Sequence, residues 1–161
     1  MDSNAPHPTY LKLKAFLEGK PVCARASEPM KPGACVRILF HDHQDVYSFR
    51  RTPLGPRLEP IPPEKPDFTL RLTTALVERL AELESEDIGE FGVLLISLGA
   101  SPDLNFRINA AIHTGFRDLW RKGYFGILRL GGWRVMRAMA AKGLTNIGVI
   151  REKVNKNVKP A

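Results

Sequence analysis

Two histidines flanking an aspartate, His41-Asp42-His43, are the most compact set of potential metal ligands in the sequence. On an extended segment His41 and His43 share a face while Asp42 points away, and no third histidine lies nearby in sequence. Polar residues at a hairpin tip are therefore the stronger reading. Ser97, Ser101 and His113 make no G-x-S-x-G elbow, and Asp118 stands at the helix-surface pairing distance from Arg121 and Lys122. His113 lies beside an apolar stripe, where a hydrogen-bonded or half-exposed imidazole is commoner than a base. Gly126, Gly131 and Gly132 lack the spacing of a dinucleotide fingerprint. Cys23 and Cys35 are the only cysteines and have no Cys or His repeat near them, so two reduced thiols are expected. These groups assemble no active site, and the expectation is a protein that is not an enzyme and uses no metal or cofactor.

The elements that would position these residues follow from periodicity. Tyr10, Leu13, Phe16 and Leu17 predict an amphipathic helix that Thr9 or Pro8 opens and that runs to Glu18, a flanking or lid element that Gly19-Lys20-Pro21 ends. Residues 34–41 read as a strand, 45–51 as its hairpin partner, and 57–61 as a short edge strand, since Pro56 and Pro60 forbid a central position. Phe68, Leu70 and Leu72 alternate with Thr69 and Arg71, the signature of a half-buried strand. Thr73 or Thr74 caps a helix over 75–83, and Ser85 caps another that ends at Gly99. Ser101, Pro102 and Asp103 suit a helix start, and apolar residues at intervals of three and four from Leu104 to Leu119 predict a long helix to Lys122. A strand over 124–130, bracketed by Gly123 and Gly131-Gly132, and a helix over 133–142 follow. The C-terminal part holds a strand-like segment, 146–150, and a basic end. Strands grouped apart from helices argue an α+β fold, with helices packed on one face of a mainly antiparallel sheet.

At 161 residues the chain is one domain's worth. We expect a disordered leader over 1–8, a single domain over 9–154 and a flexible basic tail over 155–161. No apolar run approaches the roughly twenty residues needed to span a bilayer, and the N-terminal residues do not resemble a secretory signal, so a cytoplasmic protein is expected. The net charge of +7 hides an asymmetry: residues 1–103 hold 12 basic and 15 acidic side chains, whereas residues 104–161 hold 12 basic against only Asp118 and Glu152. Such a field favours phosphate-bearing partners, an anionic membrane surface or nucleic acid. Arg107, Arg117, Arg121, Lys122, Arg134 and Arg137 are the candidate contacts.

Three stretches carry a likeness to a known family. They are the hairpin 34–51 preceded by an amphipathic helix, the segment 63–73 (PEKPDFTLRLT) running straight into a Thr-capped helix, and the glycine-rich 121–139 (RKGYFGILRLGGWRVMRAM) with its methionine-bearing last helix. Together they resemble the sterol carrier protein-2 domain family over roughly residues 34–143. The two helices over 85–122 are an insertion relative to that pattern. The resemblance implies a five-stranded sheet covered by helices, with a hydrophobic tunnel that binds fatty acids, sterols or other lipids without chemistry.

A flexible acyl chain needs a wide apolar cavity rather than exact polar anchors. Phe91, Leu94, Leu95, Leu98, Phe106, Ile112, Phe116, Leu119, Trp133, Met136 and Met139 are the residues expected to line it, the methionines and aromatics repacking around variable ligands. Two alternatives remain open. One is a nucleic-acid-binding domain using the basic 107–142 surface, against which Tyr47, Phe49, Phe68 and Tyr124 are as easily assigned inward as outward. The other, implied by the resemblance, is an accessory domain of a lipid-metabolising enzyme.

Overall fold

The computed structural model of the protein describes residues 6–144 and Glu152. Most of the expected leader, the segment 146–150 and the tail 155–161 lie outside these residues. Pro8, one of the two helix openers expected, starts the first helix, α1 (Pro8–Gly19), and the His7 ring accepts from the Thr9 amide at 3.3 Å as its cap. Lys20 breaks the chain, and Pro21 starts a short second helix, α2 (Pro21–Ser27).

The strands follow as expected: β1 (Cys35–Phe40), β2 (Val46–Thr52), β3 (Gly55–Glu59) and β4 (Phe68–Leu72). Next come α3 (Thr74–Ala81), α4 (Ile88–Gly99), β5 (Asn109–Ile112), α5 (Phe116–Arg121), α6 (Tyr124–Leu130) and α7 (Gly132–Ala141). Thr73 caps α3 by accepting from the Leu76 amide at 3.1 Å. The cap of α4 is Asp87 rather than Ser85, its carboxylate accepting from the Glu90 amide at 2.9 Å.

The fold is α+β, with a five-stranded sheet in the order β3-β2-β1-β4-β5. All neighbours are antiparallel except β1 and β4, which run parallel with Val36 opposite Phe68 and Phe40 opposite Leu72. The parallel pair arises because residues 60–67 carry the chain from the β3 edge past β2 and β1. Arg37, on the outer face of β1, holds that crossing by donating to the Pro63 carbonyl at 3.1 Å.

Two expected elements are corrected. The long helix over 101–122 is absent: Ser101 Oγ accepts from the Asp103 amide, and Asp103 Oδ1 accepts from the Asn105 amide at 2.9 Å. These side chains offer the backbone turns that compete with a helix, and the chain emerges extended to pair Asn109–Ile112 with β4. The segment 124–130 is a helix, not a strand, and the fifth strand is β5 instead. Gly123, at φ 85°, turns the chain abruptly, and a side chain there would meet the Pro29 carbonyl oxygen at 1.8 Å. Packing against residues 29–30 thus overrides the β-leaning composition of this segment.

Candidate functional site

The inner face of the sheet and the helices over it do not close on one another. Between them lies a cavity of about 290 Å³. Its floor is every second residue of three strands: Val36 and Ile38 from β1, Phe49 from β2, and Phe68, Leu70 and Leu72 from β4. Leu13, Phe16 and Leu17 of α1 form one wall, with Cys23, Ala26 and Ser27 of α2 and Met30 beside them. Leu80 of α3, Phe91 and Leu95 of α4, Ile108, and Tyr124 and Ile127 of α6 complete the lining.

This lining contains no Asp, Glu, Lys, Arg or His. Its few polar atoms are already occupied. Ser27 Oγ donates to the Ala24 carbonyl at 2.9 Å and accepts from Arg51 at 3.0 Å. Tyr124 donates its hydroxyl to Asp67 at 2.9 Å, and burial together with that carboxylate pushes the phenol's pKa up. Burial likewise pushes the Cys23 thiol up to about 12, so it stays neutral. The cavity therefore offers a guest mainly dispersion contacts, its hydroxyls being engaged and its one thiol a weak, neutral donor.

Asp67, only 2% exposed, is the polar knot that fixes one end of the site. Besides Tyr124, its carboxylate accepts from the Cys35 amide at 3.0 Å and from Lys122 Nζ at 2.5 Å. Its own amide donates to the Cys35 carbonyl, and its carbonyl accepts from the His113 amide. One residue thus ties β1, the end of β5 and the α5–α6 corner together.

Of the residues expected to line a tunnel, Phe91 and Leu95 line this cavity. Leu94 faces the groove between α4 and α7, Leu98, Ile112 and Leu119 are buried, Phe106 packs against the core, and Met139 is half-buried. Phe116, Trp133 and Met136 are exposed. For Trp133 and Met136 the reason lies in α7, whose one buried side chain is Val135. Val135 sits where side chains on Gly92 and Gly131 would stand 2.5 and 2.2 Å from its Cγ2, so those glycines let α7 rest on α4 through a small residue, with its larger ones outward. Sequence reasoning left out the sheet floor and α2 as parts of the lining. The alternation in 34–41 and 68–72 was the available signal for the floor; α2 gave none.

The cationic residues divide. Lys122 is committed to Asp67, and Arg107 folds back on its own loop, its Nε 2.6 Å from the Ser101 carbonyl. Arg121 pairs with Asp118 at 3.0 Å, and Arg134 stands 3.9 Å from Asp87. Arg117 and Arg137 are exposed.

His41, Asp42 and His43 do not converge. His43 is stacked between His7 and Phe40, with ring centroids at 4.1 and 4.4 Å. Neither ring nitrogen of His43 makes a hydrogen bond, although Asp45 stands 3.4 Å away. Burial and the neighbouring His7 hold the His43 pKa below the ordinary value. Asp42 accepts from the Thr74 hydroxyl, and His41 is in contact with the Asn109 side chain at 3.2 Å. Among the described residues, no group of three or more His, Cys, Asp or Glu is placed to hold a metal ion. No helix among them is long and apolar enough to cross a membrane. Compared with known proteins, the chain matches no family model, no curated protein and no solved structure.

Proposed function

We propose that this protein binds an apolar lipid in the cavity between sheet and helices and carries it without chemistry. The observation that carries the reading is the lining itself: a partly open hollow of about 290 Å³ walled by apolar side chains, with no charged group and both lining hydroxyls, Ser27 and Tyr124, engaged. A lining of this kind favours hydrocarbon over any polar solute. Its size lies near the lower end of small-molecule sites, about 300–1,000 Å³, which suits a fatty acyl chain. A sterol would require Met30 and the surrounding aromatics to move aside. A helix-covered five-stranded sheet over a hollow is also what the resemblance to sterol carrier protein-2 domains implied, and it supports the same reading.

The test is titration of delipidated protein with a fluorescent fatty acid at two salt concentrations. Saturable binding of one probe per chain, unchanged by salt, is expected. Absence of saturable binding, or steep loss with salt, contradicts the reading, because burial of hydrocarbon is not screened and phosphate contacts are.

A further inference from the structure

Helices α5, α6 and α7 leave an apolar surface uncovered. Nine large hydrophobic side chains are exposed in the described chain, and five of them, Phe116, Trp120, Leu130, Trp133 and Met136, fall within residues 116–136. Trp133 is 79% exposed and Trp120 65%. Scattered apolar residues need no explanation, but grouped ones mark a contact surface. Three rings here are grouped: Phe125 lies 5.0 Å from Phe116 and 5.6 Å from Trp120, and Phe116 lies 6.3 Å from Trp120. Leu130, Trp133 and Met136 follow on α6 and on α7, which packs against α6.

Charge says what the surface fits. Residues 116–141 hold six basic side chains and a single acidic one, Asp118, which is taken by Arg121. Arg117, Arg129 and Arg137 are exposed, with no carboxylate in ion-pair range among the described residues. On α5, Phe116 and Trp120 are one turn apart, and Arg117 and Arg121 form a neighbouring stripe about 100° round the helix. Aromatic rings beside guanidinium groups are the pattern of a helix lying in a headgroup interface.

We propose that the exposed face of α5–α7 docks this protein on an anionic phospholipid bilayer. Trp120, Trp133 and Phe116 enter the interface, and Arg117, Arg129 and Arg137 meet lipid phosphates. Single-stranded nucleic acid fits less well, because it needs open ring faces for bases to stack on. The Phe116, Trp120 and Phe125 rings instead pack at tilts of 38° to 53° on one another, which leaves Trp133 as the one aromatic of this face with no ring against it among the described residues. Docking stands on these observations alone. Its consequence rests on the lipid-carrier reading: α6 also supplies Tyr124 and Ile127 to the cavity. Its cavity-facing side chains are only half-buried, so a chain leaving the cavity for the bilayer would pass one seven-residue helix.

Trp120 and Trp133 are the only tryptophans, so intrinsic emission reports the face directly. The full chain is mixed with phosphatidylcholine vesicles, with and without phosphatidylserine, and followed by emission and co-sedimentation. A blue shift and sedimentation on the anionic vesicles are expected, weaker on neutral ones. Arg117→Gln and Arg137→Gln should each weaken anionic-vesicle binding about fivefold, the effect of one basic residue at such a surface. Trp133→Ser, at an exposed position that folding does not need, should weaken binding and reduce the shift. Three results would overturn the proposal: no binding to anionic vesicles by protein that still takes up the acyl probe, equal vesicle binding by all variants, or equally tight binding of a labelled oligonucleotide without lipid. Failure of the acyl probe with vesicle binding intact would instead remove the cavity reading and leave the docking face standing.

Discussion

Burial sets the chemistry of single residues around the cavity. The Cys23 thiol, pushed up to about 12, should resist alkylation by a maleimide near neutral pH in the folded protein and react once denatured. Fast modification of native Cys23 would show that water reaches the cavity wall. Asp67 carries more than its own weight, since Lys122, Tyr124 and the Cys35 amide all donate to it. Asp67→Asn should cost about 2–4 kcal/mol in a denaturant titration, because a partly buried lysine loses its counter-charge. His43 favours its neutral form in the fold, so its contribution to stability is fully present above the ordinary imidazole value of about 6.5. That contribution is lost as pH falls from there through the lowered folded value. His41, lowered by burial and by Arg71, acts in the same direction. Stability measured between pH 7 and about pH 5 should fall in the parent and fall less in His43→Phe; equal slopes would contradict this assignment.

Elements were legible where one periodicity dominated. Alternation placed β1, whose side chains are buried at every second position, and the Thr73 cap placed α3, because there local signal and burial agree. Residues 101–113 deceived because Ser101 and Asp103 suit both a helix start and a chain of turns, and pairing with β4 decides for the latter. The face of α4 that meets the cavity was equally hidden, since Leu94 and Leu95 are both apolar and only the first faces the α7 groove. Trp133 and Met136 suggested the wrong side of α7, because the side chain admitted against α4 is the small Val135, opposite Gly92 and Gly131. The α5–α6 corner rests on Gly123, where both the positive φ and the Pro29 carbonyl exclude a side chain. Gly123→Ala should therefore destabilise the protein by about 3 kcal/mol or more in a denaturant titration, whereas Gly19→Ala, with open space around it, should not. A neutral Gly123→Ala would mean that the corner does not hold α6 against residues 29–30.

At the scale of the whole molecule, sheet and helices are held apart over the cavity and brought together beside it. Leu58, Leu76 and Val77 are fully buried nearby, so the hollow is a local feature of a packed core. A hollow that exists to be filled should tolerate being filled by the chain itself, and Ala26, half-buried on α2, lines it. The most direct measurement is the affinity of Ala26→Phe for a fluorescent acyl probe, set beside its thermal stability. If the cavity is the lipid site, the phenyl group occupies it: binding drops at least tenfold while the melting temperature holds or rises. Probe binding at parental affinity by a folded Ala26→Phe protein would place the ligand elsewhere and contradict the account.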